Sequence, residues 1–238
     1  MVSYSVVIPV LNEQDNILPL VEELVAALSA GPAFEVVFVD DGSTDDTPAR
    51  LCEAKARFPM VRVLRHAAKS GKSAGLRSGA RAARGDWVVT MDGDRQNDPA
   101  DVPRMLELIA ADPALALVAG NRRRRQDTVW KKIASRTGNG IRRALLHDAC
   151  PDTACGLKLI RRDVLLGLPF FNGMHRFFPA LVQGHGHRYA NLLVNDRLRA
   201  AGTSKYTNLG RAFVGLFDLF GVVWLLRRTT LPPAAPEV

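Results

Sequence analysis

Two carboxylates and an amide lie close together in Asp86-Trp-Val-Val-Thr-Met-Asp-Gly-Asp-Arg-Gln96. Alternate residues of an extended backbone point to the same side, so Asp92 and Asp94 can reach one ion together, with Gln96 just behind. Hard oxygen donors of this kind suit Mg2+ or Mn2+, which are held by one or two carboxylates together with a substrate's phosphates. The same residues also make a polar turn and an N-cap ahead of Pro99, and an isolated D-x-D does not decide between the two. Two further polar corners precede it: Pro9-Val-Leu-Asn12-Glu13 and Asp40-Asp41-Gly42-Ser43-Thr44-Asp45.

Each corner follows a short apolar run. Tyr4–Val10, Phe34–Val39, Val61–Leu64 and Asp86–Met91 read as strands, rich in β-branched residues and bounded by turn formers. Between them, Ile17, Leu20, Val21, Leu24, Val25 and Leu28 recur at helical spacing up to Gly31-Pro32. A second helix ends near Phe58, and a third covers Ala74–Ala83. Alternation of this kind predicts an α/β fold, a mostly parallel sheet with helices on both faces. Such sheets bind ligands at the carboxyl ends of their strands, where all three polar corners fall. A further helix (Val102–Ala111) and strand (Leu115–Ala119) follow.

The chain's 238 residues, 47% hydrophobic and 24% charged, suffice for one sizeable folded domain, alone or with an appendage. A net charge of +8 calls for an anionic partner: nucleic acid, a membrane surface or a phosphorylated substrate. Cys52, Cys150 and Cys155 form no metal-ligand spacing and leave an odd thiol, which points to a reducing compartment. The first residues read as a strand rather than a leader peptide.

The second half is more basic. Asn121-Arg-Arg-Arg-Arg125 leads into Trp130, Lys131, Lys132, Ile133, Arg136, Arg142 and Arg143, with no acid between Asp127 and Asp148. This is either a solvated charged face or a helix that catches anionic head groups at a membrane surface. Met174-His175-Arg176-Phe177-Phe178-Pro179 reads as an aromatic-rich loop in which His175 is a structural group first. Ala212–Leu226 is apolar apart from Asp218. It runs for about 15 residues, short of the roughly 20 needed to span a bilayer. Phe213, Leu216, Phe217, Phe220 and Trp224 share one helical face, and core or oligomer packing and an in-plane membrane helix both stay open. The proline-rich end, 229–238, reads as disordered.

His66-Ala-Ala-Lys-Ser-Gly-Lys-Ser73 looks like a phosphate-binding P-loop, but His66 stands where the first glycine belongs. An ATPase loop is not expected. Gly71 and Lys72 are still expected near phosphates, through backbone N–H groups at the next helix N-terminus.

Taken in order, Pro9–Glu13, Asp40–Asp45, Lys69–Gly79 and Asp92–Gln96 resemble the family 2 glycosyltransferases, which have the GT-A fold and use nucleotide-sugar donors. Gly120-Asn121-Arg122, Ser135-Arg136, Met174–Phe177 and Arg199-x-x-Gly202-x-Ser204-Lys205 sharpen the likeness to dolichyl-phosphate mannose synthase and its polyprenyl-phosphate relatives. The resemblance covers roughly Ser3 to Arg211. It implies that Pro9, Asn12, Glu13, Asp40, Asp41, Gly42, Ser43, Gly71, Lys72 and Asp92 line the nucleotide-sugar pocket. Asp92, Asp94 and Gln96 would hold Mg2+ or Mn2+ on the donor diphosphate. Arg122, Arg136, Arg199 and Lys205 would bind the acceptor lipid's phosphate, for which arginine's planar fork is suited. Asp94 and Arg199 would be catalytic, with His175 and Arg176 nearby.

The division implied is a GT-A domain at 1–211, with a donor half at 1–119 and an acceptor half at 120–211, then an amphipathic, membrane-associated or packing helix at 212–228. The expected reaction is inverting transfer of a hexose-type sugar to a polyprenyl phosphate at the cytoplasmic face of the membrane. A phosphate acceptor is already anionic and needs no general base, and no late carboxylate near His175–Phe178 stands out in the sequence. The partners expected are a nucleotide diphosphate sugar, a polyprenyl phosphate and an anionic membrane surface, without nucleic acid, and a homo-oligomer is left open. Two rivals stand: transfer to a sugar hydroxyl, and a non-catalytic basic membrane or nucleic-acid binder. Two departures from the family matter. Arg95 occupies a position that is usually small or apolar, and the paired transmembrane helices of many relatives are missing.

Overall fold

The computed structural model describes residues 2–122, 140, 142–198 and 208–230. Seven strands form one sheet: β1 (Tyr4–Val10), β2 (Phe34–Asp40), β3 (Val61–Arg65), β4 (Trp87–Thr90), β5 (Leu115–Arg122), β6 (Lys158–Arg161) and β7 (Arg188–Val194). Their order is β3-β2-β1-β4-β6-β5-β7. All run parallel except β6, which lies antiparallel between β4 and β5.

The strands alternate their side chains between two cores, as a period of two requires. From β1, Val6, Ile8 and Val10 enter one core and Val7 the other. The first core is covered by α1 (Ile17–Leu28), α2 (Thr47–Arg57) and α4 (Val102–Ala111). The second is covered by α3 (Lys72–Ala82), α5 (Arg162–Gly167), α6 (Phe178–Gly184) and α7 (Asn208–Arg228). This is the doubly covered, mostly parallel sheet expected.

Several local expectations change. Helix α3 starts at Lys72, ahead of the expected Ala74, and β5 continues to Arg122, so the basic run begins inside a strand. The aromatic-rich stretch is not a loop throughout: a 3-10 turn covers Met174–Arg176 and α6 starts at Phe178, with Pro179 in its first turn. There proline's missing N–H costs no helix bond. Strands β6 and β7 were not anticipated. β6 has only four residues, and β7 is an edge strand with alternately exposed residues, so neither carries the long apolar run of a central strand.

Pro9 looks misplaced inside a parallel strand, because proline cannot donate to a ladder. The pairing of β1 with β4 ends at Val7↔Thr90, so Pro9 lies beyond the last rung on that side.

Helix α7 packs Leu219 and Val222 into the second core, while Leu216, Phe217, Phe220 and Trp224 are 45–63% or, for Trp224, 64% exposed. The face that the spacing singled out is therefore turned outward. Among the described residues, no helix is long and apolar enough to cross a membrane.

Candidate active site at the carboxyl edge of the sheet

Strand β4 delivers Asp92 and Asp94 to the edge where β1 and β2 also end. The turn that follows is fixed from several sides. The Asp92 N–H donates to Asn97 Oδ1 at 3.0 Å, and the Gln96 N–H donates to Asp94 Oδ1 at 3.2 Å. Arg95 takes a left-handed conformation, φ 62°, which costs a non-glycine residue roughly 1–2 kcal/mol. Its guanidinium does not face the carboxylates but reaches α1, where Nε and one terminal nitrogen donate to Glu23 Oε1 at 2.9 and 2.5 Å. The charge that departs from the family pattern is thus neutralised outside the site.

Asp92 is seated against the loop before β6. The Thr90 hydroxyl donates to the Gly156 carbonyl at 2.7 Å. A Cβ on Gly156 would stand 2.3 Å from Asp92 Oδ2 and 2.9 Å from Asn97 Oδ1. Only a residue without a side chain leaves room for that carboxylate.

Three cations surround it. The Lys72 ammonium, from the first turn of α3, donates directly to Asp92 Oδ1. Lys158, 2% exposed, lies opposite Thr90 in the β4–β6 register and donates to the Thr153 and Cys155 carbonyls. Being antiparallel, β6 begins where its neighbour ends, so its first residue arrives beneath the site. Burial pushes the Asp92 carboxyl up, but Lys72, Lys158 and Arg122 outweigh it and hold the group below the usual carboxylate range. Burial, together with the like charge of Lys72, holds the Lys158 ammonium below the usual lysine range.

The β1 and β2 corners are latched to one another. Asn12, also left-handed at φ 53°, donates its N–H to Ser43 Oγ at 2.8 Å, and its Oδ1 accepts the Thr44 N–H at 2.8 Å. The Glu13 N–H donates to Thr47 Oγ1, and its carboxylate accepts from Asn16 Nδ2 at 2.7 Å. Asp40 accepts the Ser43 N–H at 2.9 Å and faces Arg65 Nε at 3.2 Å. Gly42, φ 79°, brings the chain against the backbone of Ala68 and Lys69, a conformation natural to glycine.

Asp41 is buried and organises the P-loop-like stretch. It accepts from His66 Nδ1, the Ser70 N–H and the Gly71 N–H, each at 2.8 Å. The Gly71 N–H expected to meet phosphate is therefore taken by the protein itself, and His66 has a structural use where a P-loop has glycine. Lys72 is the residue of that stretch that reaches the carboxylates.

Arg122, at the end of β5, makes a forked pair with Asp152, Nε to Oδ2 at 2.6 Å and a terminal nitrogen to Oδ1 at 3.0 Å. Burial would lower the Arg122 guanidinium, but the Asp152 fork outweighs it and raises it further. His175 Nδ1 lies 2.8 Å from Ser73 Oγ, one residue from Lys72, and the Gly173 N–H donates to the same hydroxyl at 3.1 Å. Sequence alone showed no late carboxylate here, and the structure supplies one. Asp218 of α7 lies against Gly173 and faces Arg176, and burial pushes its carboxyl up against that arginine's pull. Arg136, Arg199, Lys205 and the basic stretch 123–139 lie outside the described residues.

Lys158, Gly156, Asn97 and Asp152 were not singled out from the sequence. A lone lysine within Cys155–Ile160, an otherwise apolar run, was the available signal for the first. Among the described residues, no group of three or more His, Cys, Asp or Glu could hold a metal. A cation here would therefore rest on Asp92, Asp94 and Gln96 and complete its shell from a bound anion. The Lys72 ammonium already stands as a positive charge on Asp92, so the donor set fits such an ion.

A family model described as "Glycosyl transferase family 2" matches residues 5–167. A dodecaprenyl-phosphate galacturonate synthase of Rhizobium johnstonii is 34% identical over 96% of this chain and 68% of its own length. An undecaprenyl-phosphate 4-deoxy-4-formamido-L-arabinose transferase of Edwardsiella ictaluri is 35% identical over 85% of this chain and 62% of its own. The chain thus spans about two thirds of the length of such relatives. Among solved structures, glucosyl-3-phosphoglycerate synthase from Mycobacterium tuberculosis with phosphoglyceric acid superposes with a TM-score of 0.71 at 22% identity, covering 98% of this chain and 81% of that one. The same enzyme has been crystallised with Mn2+ and uridine diphosphate. The strand order, the carboxylates at the sheet edge and a family match over most of the chain lead to one assignment: this protein is a member of glycosyl transferase family 2, with the GT-A fold.

Proposed function

We propose that the chain transfers a hexose-type sugar from a nucleoside diphosphate donor to a polyprenyl phosphate, with inversion, using Mg2+ or Mn2+. The observation that carries this reading is the Asp92–Lys72 pair, a carboxylate at a strand end that holds a cation, with the positive charges of Lys158 and Arg122 acting on it as well. A carboxylate and a lysine paired at the sheet edge suit a diphosphate accompanied by a divalent ion. The acceptor is suggested by the relatives named for dodecaprenyl and undecaprenyl phosphate.

Asp92, Asp94 and Gln96 would hold the ion, which when bound supplies Lewis-acid stabilisation of the leaving nucleoside diphosphate. Lys72 would turn from Asp92 to the donor's phosphates, and Lys158 would supply fixed positive potential from below. An acceptor phosphate oxygen attacks the anomeric carbon as the sugar–phosphate bond breaks, and no proton need be removed. Arg122, with Arg136, Arg199 and Lys205, would orient that phosphate, an entropic contribution. The outward apolar face of α7, ending in Arg227 and Arg228, would lie on an anionic membrane at its cytoplasmic side.

Transfer to a sugar hydroxyl is the second reading, favoured by Asp218, whose raised carboxyl could accept a proton. Incubation with Mn2+, a panel of UDP- and GDP-sugars and undecaprenyl phosphate tests the first reading, with lipid-linked sugar as the expected product. Asp218→Asn separates the two. Retained activity supports the phosphate acceptor, whereas an all but complete loss on a hydroxyl acceptor supports the other. No lipid-linked product from any donor would overturn the proposal.

A further inference from the structure

The metal-binding turn is tied at its back to two other parts of the chain through one carboxylate. Glu23, midway along α1, accepts the Arg95 fork on Oε1 and Arg197 on Oε2, the latter at 2.7 Å. The same Arg197 nitrogen donates to the Asn97 carbonyl at 2.7 Å, and its backbone N–H donates to the Gln96 carbonyl at 3.1 Å. Asn97 and Asp196 form an antiparallel bridge. Both arginines and the glutamate are a quarter to a third exposed at their side chains.

We propose that Glu23 is a positioning residue: its carboxylate clasps Arg95 and Arg197 and so holds the Asp92–Gln96 turn in the shape that lets Asp94 and Gln96 meet one ion. This rests on the metal-binding reading of that turn. The turn changes direction at Arg95, in a left-handed conformation that a β-carbon disfavours. Glycine would adopt it freely, so an arginine there needs something to hold it, and the Glu23 fork does so. Asn97 closes the other half of the device. Its side chain takes the Asp92 N–H and its carbonyl takes Arg197. The segment at 196–198 is thereby fixed to the donor side, and the chain continues from it into residues 199–207. Without Glu23, the two guanidinium groups would lose the carboxylate they share, and their repulsion would push the turn and the 196–198 segment apart.

The clasp predicts a split between affinity and turnover. In the full chain, Glu23→Ala and Glu23→Gln should weaken Mn2+ binding in the presence of UDP by roughly tenfold, the scale seen when the groups orienting metal ligands are lost. Binding is read by electron paramagnetic resonance of free Mn2+. Turnover at saturating metal should fall far less. Arg95→Gly and Arg95→Ala should both weaken Mn2+ binding, since a backbone relieved of strain still lacks the fork. Combining Glu23→Ala with Arg95→Ala should add little to either change alone. If Glu23→Ala does not fold, Glu23→Gln, of nearly the same shape, decides. Unchanged Mn2+ affinity in Glu23→Gln, or Arg95→Gly matching the wild type, would overturn the clasp. Asp94→Ala, run alongside, keeps the two ideas apart: if its Mn2+ affinity is also unchanged, the metal assignment fails; if it is lost, only the clasp does.

Discussion

Gly156 and Asp92 fit together so closely that a Cβ on the glycine would stand 2.3 Å from the carboxylate's Oδ2. Asp92 is thus placed as much by a missing side chain on the neighbouring loop as by its own strand. Gly156→Ala should displace the carboxylate by several tenths of an ångström and lower kcat/KM for the donor by roughly a hundredfold. Thermal unfolding should change modestly. Donor kinetics beside a melting curve check this, and normal kinetics in a folded variant would show that the seat is not needed.

Lys72 should affect metal and donor in opposite directions. Its ammonium competes for Asp92 in the structure. Lys72→Met should therefore let Mn2+ alone bind more tightly while donor binding in the presence of Mn2+ weakens by roughly tenfold, about 1.4 kcal/mol. Calorimetric titrations with and without the nucleotide sugar measure both. Weakening of both would make Lys72 a simple structural support.

Arg122 offers a test of fork against charge. Arg122→Lys keeps a cation but cannot make the two parallel bonds to Asp152. The variant should lose roughly tenfold or more in kcat/KM for polyprenyl phosphate, with the KM for donor little changed. Equal losses for donor and acceptor would place the arginine on the donor side instead.

A pH dependence of stability follows from Glu35, far from the carboxylate turn. Burial would raise its carboxyl, but bonds from Arg62, the Arg84 N–H and Ser5 together hold it below the ordinary glutamate range. A lowered folded-state value means that the stabilisation is complete above the unfolded value, about 4.3, and is lost as pH falls through and below it. Glu35→Gln should cost roughly 2 kcal/mol at pH 7, about 4–8 °C in unfolding midpoint for a chain of this size. The gap to the wild type should narrow below about pH 4. Midpoints measured across that range decide, and a gap that stays constant would remove Glu35 from the acid response.

The parallel core was legible because its strands are apolar, rich in β-branched residues, and three of them lead into a polar corner, after Val10, Asp40 and Met91. Asp92 and Asp94 were legible because their spacing suits one ion whatever surrounds them. Lys158 and Gly156 were not. Their meaning comes from an antiparallel strand of four residues slotted between β4 and β5, a long-range pairing that no local pattern encodes. Asp218 was visible as a lone acid in an apolar helix, but only packing against the 173–176 turn brings it near the site. The outward face of α7 was readable from its spacing, although the direction it faces was not.

Helix α3 rides unusually low on the sheet: a Cβ at Gly75 would meet Pro9 at 2.8 Å, and one at Gly79 would meet Val7 at 2.2 Å. Exchanging helix glycines for alanine is a common route to heat resistance, worth about 1 kcal/mol each on helix preference alone. Here that route is closed, because either methyl would lift the helix and draw Lys72 back from the carboxylates. The enzyme's tolerance of heat and its reach toward the donor are set against each other at these two positions.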